Sequence, residues 1–137
     1  MGRTEAYKPS GNVADADCVI GFSFGTSIDP GSVNRQLALR MLSSAQGRPM
    51  IADRTLVNAM PSGGNQMVHV IEGEVTNAKT QGVGTWGTLV SARDFMEAHD
   101  LSKPIMIAQA YHVGRVVRQA ARLSMPSIVP GEFANRL

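Results

Sequence analysis

Three stretches of the chain carry residues suited to binding or proton transfer, and each follows a short apolar run. The first is Gly21-Phe22-Ser23-Phe24-Gly25-Thr26-Ser27. A glycine-permitted turn there exposes backbone N–H groups and hydroxyls that can cradle a phosphate or carboxylate. Gly21, Ser23, Gly25 and Thr26 are therefore candidate ligand-binding residues. The spacing matches neither a Gly-x-x-x-x-Gly-Lys-Ser/Thr loop nor a Gly-x-Gly-x-x-Gly turn. The second stretch is Gln109-Ala110-Tyr111-His112-Val113-Gly114-Arg115. His112 and Arg115 are three apart at the start of a helical pattern, so they share a side of the helix, where its N-terminus adds positive potential. Arg115 suits an anion, and His112 is the candidate general acid or base near neutral pH. In the third stretch Glu72 and Glu74 flank Gly73. A carboxylate there can take a ribose hydroxyl, an amine or a metal, and a plain solvated loop is an equal reading.

Two further residues point to the same region. Arg35 lies near the start of the first helical pattern and can reach the cleft. Thr85 is placed to cap the third helical pattern and to offer its hydroxyl. Gly21-x-Ser23-x-Gly25 also has the form of a nucleophile elbow, and Ser23, then Asp53, Asp94 or Asp100, then His112 follow the Ser-Asp-His order of α/β-hydrolases. An elbow requires a helix directly after the serine, whereas Ile28-Asp29-Pro30-Gly31 delays it, so a serine hydrolase using Ser23 and His112 is the weaker alternative. His69, inside an apolar run, reads as a core residue. No His-x-x-x-His spacing occurs, so no metal site is expected. The single Cys18 lies in an apolar run and reads as a buried, inert thiol.

Apolar runs over 17–22, 49–52, 67–71, 104–108 and 127–129 are mostly continuous, as in strands covered on both faces. Helical patterns lie between them over 31–45, 55–60, 85–99 and 112–123. Val33, Leu37 and Met41 make the core stripe of the first, which Asp29-Pro30 opens and Gly47 closes. Trp86, Leu89, Ala92 and Met96 make that of the third. In the fourth, Val113, Val116, Val117, Ala120 and Ala121 face inward, and Arg118 and Arg122 face solvent. Strand–helix alternation implies a parallel sheet with right-handed crossovers. The expected fold is α/β, a small three-layer Rossmann-like domain with a mostly parallel five-stranded sheet over 15–137, preceded by a flexible N-terminal arm over 1–14. Ligands in such sheets bind beyond the carboxyl ends of the strands, which is where the three stretches fall.

Composition limits the function classes. The 137 residues suffice for one ordinary domain. Lys and Arg total 13 against 11 Asp and Glu, for a net charge of +2. Such a balance lacks the clustered basic excess of a nucleic-acid-binding domain. No run approaches the ~18 apolar residues of a membrane span, and the first residues lack the apolar core of a secretory signal. A cytoplasmic protein is expected, without nucleic-acid or membrane partners, acting on a small molecule. A homodimer formed through helix faces or sheet edges is compatible with the fold.

Several segments together resemble the YdcF/SanA/ElyC family of bacterial domains. Ala16-Asp17-Cys18-Val19-Ile20-Gly21 resembles its opening strand, and Val33-Asn34-Arg35-Gln36-Leu37-Ala38 its first-helix segment with an Arg. Thr85-Trp86-Gly87-Thr88 looks like its Asn-Thr-x-Glu-Asn motif. The strand leading into Tyr111-His112-Val113-Gly114-Arg115 is the nearest match, carrying the family's Tyr-His-x-x-Arg element. The resemblance spans about residues 15–131. It implies a Rossmann-like fold whose cleft is lined by Arg35, Glu72, Thr85, His112 and Arg115, with nucleotide-type ligands, S-adenosylmethionine among them. The chain departs from the family where Ala52-Asp53 replace a Ser-Gly and where Gly87 and Thr88 replace the motif's Glu and Asn. The combined expectation is a YdcF-like domain holding a small anionic or nucleotide-type ligand, with catalysis left open. The alternative is a non-catalytic regulatory or assembly module on the same fold.

Overall fold

A computed structural model describes residues 9–24, 31–61, 68–71 and 84–131. Four strands, β1 (Cys18–Gly21), β2 (Met50–Asp53), β3 (Val68–Ile71) and β4 (Pro104–Ile107), form one sheet in the order β3-β2-β1-β4. All three pairings are parallel, with Val19 opposite Met50 and Ile105, and Ile51 opposite His69. Four helices connect or follow them: α1 (Gly31–Ala45), α2 (Arg54–Ala59), α3 (Gly84–Ala98) and α4 (Val113–Arg122).

Alternation of side chains along each strand builds two cores. Cys18, Ile20, Ile51, Ile71 and Met106 meet Leu89, Ala92 and Met96 of α3 and Val113, Val116 and Ala120 of α4. Val19, Met50, Ala52, Ile105 and Ile107 meet Leu37 and Met41 of α1 and Leu56 and Val57 of α2. The layers are therefore α1 and α2, the sheet, then α3 and α4: a Rossmann-like α/β arrangement. Continuous burial of β1 and β4 follows from helices on both faces.

The five strands expected are four. Residues 127–129 contribute only isolated bridges, Ile128 parallel to Ile105 and Val129 antiparallel to Ser10. The Ile128 N–H donates to the Pro104 carbonyl at 3.0 Å, and its own carbonyl accepts from the Met106 N–H at 2.9 Å. Pro126 and Pro130 bound this segment. Proline lacks an N–H and fixes φ, so the ladder stops after one residue pair. The expected arm over 1–14 is described from Pro9 onward. There Ser10 and Val129 exchange N–H···O bonds of 3.0 and 2.8 Å.

Two polar residues hold the amino edge. The Asp17 carboxylate accepts from the Ser102 and Lys103 N–H groups, each at 2.9 Å. Burial pushes its pKa up, but the donors together outweigh burial and hold it below the ordinary carboxylate value. The Arg48 guanidinium donates to the carbonyls of Ala16, Ser44 and Val13 at 2.9, 3.1 and 3.2 Å, joining α1 to the chain before β1. Cys18 is fully buried, and burial raises its thiol pKa far above the reactive range.

Ala121, expected to face inward, is exposed on α4, and two larger side chains also differ from expectation. His69 is exposed, because β3 is the edge strand, and it stacks on Phe95 at 4.2 Å between centroids, with His99 on that ring at 4.0 Å. Trp86 is exposed because α3 meets the core only from Thr88 and Leu89 onward. Among the described residues, no helix is long and apolar enough to cross a membrane.

Candidate functional site

The sheet order decides where a crevice can form. After β1 the chain passes to α1 on one face, and after β4 it passes to α4 on the other. Adjacent strands whose connections leave in opposite directions part at their carboxyl ends, and ligands of open α/β sheets sit at that point. Two hydrogen-bonded pairs lie along this edge.

The first pair joins the ends of β1 and β2. Ser23 Oγ donates to Asp53 Oδ2 at 2.6 Å. The other carboxylate oxygen accepts from the Leu56 N–H at 3.1 Å and caps α2. Asp53 thus has one oxygen committed to a helix start and one committed to a hydroxyl that a ligand can displace. Ser23 is half-buried and Phe24 exposed. Their backbone is held by Asn34 of α1, whose Oδ1 accepts from the Phe24 N–H at 2.7 Å and whose Nδ2 donates to the Phe24 carbonyl at 3.1 Å. Asn34 therefore pairs with Phe24 as a neighbouring strand would.

The second pair joins α3 to the turn before α4. His112 Nε2 and Thr85 Oγ1 share a hydrogen bond of 2.9 Å. His112 occupies the position before the first residue of α4, but its side chain caps no backbone N–H. The imidazole lies edge-on to Phe22, centroids 6.3 Å apart. The turn itself is tied by the Gln109 carbonyl, which accepts from the His112 and Val113 N–H groups at 2.7 and 3.1 Å. Gln109 Oε1 accepts from the Tyr111 N–H at 2.8 Å. Thr85 lies in the first turn of α3, and its hydroxyl meets the imidazole. The nearby Thr88 hydroxyl is buried and donates to the Gly84 carbonyl at 2.8 Å.

Burial first, and the Arg115 charge second, lower the His112 pKa from 6.5 to about 4. At neutral pH the imidazole is uncharged, so it can donate or accept a hydrogen bond and take up a proton, but it does not supply positive charge. The shift has a consequence for stability. Unfolded chains bind a proton at His112 over a range where the folded protein does not, so stability should fall as pH drops from about 6.5 to about 4. H112Q keeps a polar side chain without that proton and should flatten this part of the curve, read as melting temperature against pH. Asp17 gives up its contribution below its ordinary pKa of 3.8, a separate window.

Arg35 and Arg115 are both exposed, and Arg115 is close enough for its charge to act on His112. Gly21 is buried at the end of β1, where the space of its missing side chain is occupied by Met41 and Leu56. Gly25, Thr26 and Glu72, and the expected Asp29-Pro30 helix start, lie outside the described residues. Among those described, no three His, Cys, Asp or Glu side chains are grouped to hold a metal ion. Ser23 bonds to Asp53 and His112 to Thr85, which differs from the serine–imidazole–carboxylate chain of a hydrolase triad.

The sequence alone gives Asn34 no role, and it offers Asp53 as a triad acid and as a departure from the YdcF-type pattern. Asn34 falls beside Leu37, Ala38 and Met41 on the buried side of α1. A polar residue on an apolar helix stripe is the signal that could have flagged it.

Fold and edge together define a small Rossmann-like domain with polar groups gathered where its central strands diverge. No protein-family model, curated protein or solved structure matches the chain.

Proposed function

We propose that this domain binds a small anionic ligand of nucleotide type at the carboxyl ends of β1, β2 and β4. The observation that carries the reading is that the Ser23–Asp53 pair stands at the carboxyl ends of β1 and β2 and the Thr85–His112 pair beyond that of β4, with Phe22, next to Ser23, edge-on to His112. The resemblance to the YdcF-type family favours the same class of ligand. Ser23 offers a hydroxyl, and Asp53 accepts from a ligand hydroxyl that displaces Ser23. Arg35 and Arg115 supply the positive charge that neutral His112 does not. If the protein is an enzyme, His112 is its proton acceptor, with Thr85 setting the orientation of the ring.

The test is a thermal-shift panel of S-adenosylmethionine, nucleotides, sugar nucleotides and simple phosphates. A ligand at ~100 times its Kd stabilises the native state by about 2.7 kcal/mol, several degrees for a domain of this size. A selective shift supports the reading. A flat panel overturns it and transfers weight to a regulatory or assembly role. Arg115→Ala should weaken the selected ligand about tenfold, about 1.4 kcal/mol for an exposed charge-assisted contact. An unchanged Kd by calorimetry would remove Arg115 from the site.

A further inference from the structure

Exposed large apolar side chains are few among the described residues, and their distribution is uneven. Among the described residues, the exposed ones are Phe24, Trp86 and Tyr111, at 48%, 45% and 67% exposure, and Leu39 on α1. The exposed Phe, Trp and Tyr side chains among the described residues thus all follow the carboxyl ends of strands. Each also adjoins a member of the two hydrogen-bonded pairs: Phe24 follows Ser23, Trp86 follows Thr85, and Tyr111 precedes His112. Phe22 is buried and Phe95 is half-buried within its histidine stack.

We infer that Phe24, Trp86 and Tyr111 are the part of the site that receives a flat heteroaromatic group, so that the anionic ligand is one carrying a nucleobase. Singly exposed aromatics are ordinary on protein surfaces. Three that each adjoin one of the two pairs, with no large exposed aliphatic side chain next to the pairs in sequence among the described residues, fit a stacking surface better than a protein interface, whose centre would mix aromatic with aliphatic and Met side chains. The backbone under two of the rings is already fixed. Asn34 pairs with both polar groups of Phe24, and the Gln109 side chain accepts from the Tyr111 N–H. Trp86 stands in the first turn of a 15-residue helix. Rings held on ordered backbone stack with little further loss of freedom, and base–aromatic stacking tolerates any base because every base has a π-face.

This inference rests on the anion-binding reading, and one comparison separates their failures. AMP, GMP, CMP and UMP are titrated against ribose 5-phosphate, which keeps the sugar and phosphate and lacks the base. Trp86 is the sole tryptophan, so intrinsic fluorescence reports on this one position, and calorimetry gives Kd. At least one nucleotide should bind tenfold or more tightly than ribose 5-phosphate and change Trp86 emission, whereas ribose 5-phosphate should leave emission nearly unchanged. Tyr111→Ala and Trp86→Ala, both at exposed positions, should each reduce that preference several-fold and leave the affinity for ribose 5-phosphate intact. Equal affinity for all five compounds would overturn the aromatic subsite and leave the anion site standing. Loss of both affinities in parallel in the variants would also overturn it. No binding of any of them at millimolar concentration would overturn both readings.

Discussion

Gly21→Val should destabilise the protein by about 3 kcal/mol or more, the upper end of what overpacking costs. The reason is not backbone conformation, because Gly21 does not lie in the left-handed region. It is space. A β-carbon at Gly21 would come within 2.8 Å of Leu56 Cδ1 and 2.9 Å of Met41 Cε. Both of these side chains are fully buried, and both belong to the core between the sheet and the α1–α2 layer. Neither can retreat without opening voids against Val19, Ala52 and their neighbours, and a dense interior transmits the displacement. Gly47→Ala supplies the contrast. Gly47 follows α1 at φ +86 with no atom within 4 Å of the position a β-carbon would take. There the cost is left-handed strain alone, about 1 kcal/mol. Denaturant midpoints of the two variants separate the mechanisms. A loss at Gly21 no larger than that at Gly47 would contradict the packing described.

The second large effect is expected at Asn34. N34D preserves shape and keeps an oxygen to accept from the Phe24 N–H. It turns the Nδ2 donor into a second oxygen facing the Phe24 carbonyl. Asn34 is 3% exposed, so the introduced carboxylate would be buried without a counter-charge, a change of about 3–5 kcal/mol at neutral pH. The sign of its pH dependence follows from burial. A buried carboxyl has a raised folded-state pKa, so the folded variant holds a proton that the unfolded chain releases. The penalty is therefore full above the folded-state pKa. It shrinks as pH falls toward the unfolded value of about 3.9, where the protonated acid can again donate to the Phe24 carbonyl. The measurement is the difference in unfolding free energy between N34D and the parent protein across this range, which removes the parent's own loss from His112. A pH-independent difference would show that Asn34 is not buried against Phe24. Because Asn34 holds the backbone on which Ser23 and Phe24 stand, N34D should also weaken the proposed nucleotide binding under conditions where it remains folded.

The architecture was largely readable from local pattern. Leu37 and Met41 at helical spacing, Gly47 after them, and apolar runs at 17–22, 49–52 and 104–108 each act through neighbours a few residues away. Periodicity therefore located α1 through α4 and β1 through β4 to within one or two residues. Residues 127–129 have the apolarity of a strand, but apolarity alone does not say whether a ladder can extend, and the flanking prolines prevent it. His69 reads as core from its apolar neighbours, because composition does not say which strand lies at the edge.

The site was legible only as a set of positions. That Ser23 and His112 follow strands was evident from the chain, since strand ends are local features. Which partner each side chain takes was not, because the partners are 30 and 27 residues away and meet through the order β3-β2-β1-β4. The same order half-buries His112 beside Phe22, and this burial, joined by the charge of Arg115 three residues on, turns a residue that titrates near neutrality in isolation into one that is uncharged there. Residue type and spacing thus determined which groups were available at the carboxyl edge. Only the packing of the helices on the two faces decided how those groups pair, because pairing and burial depend on distances between segments remote in sequence.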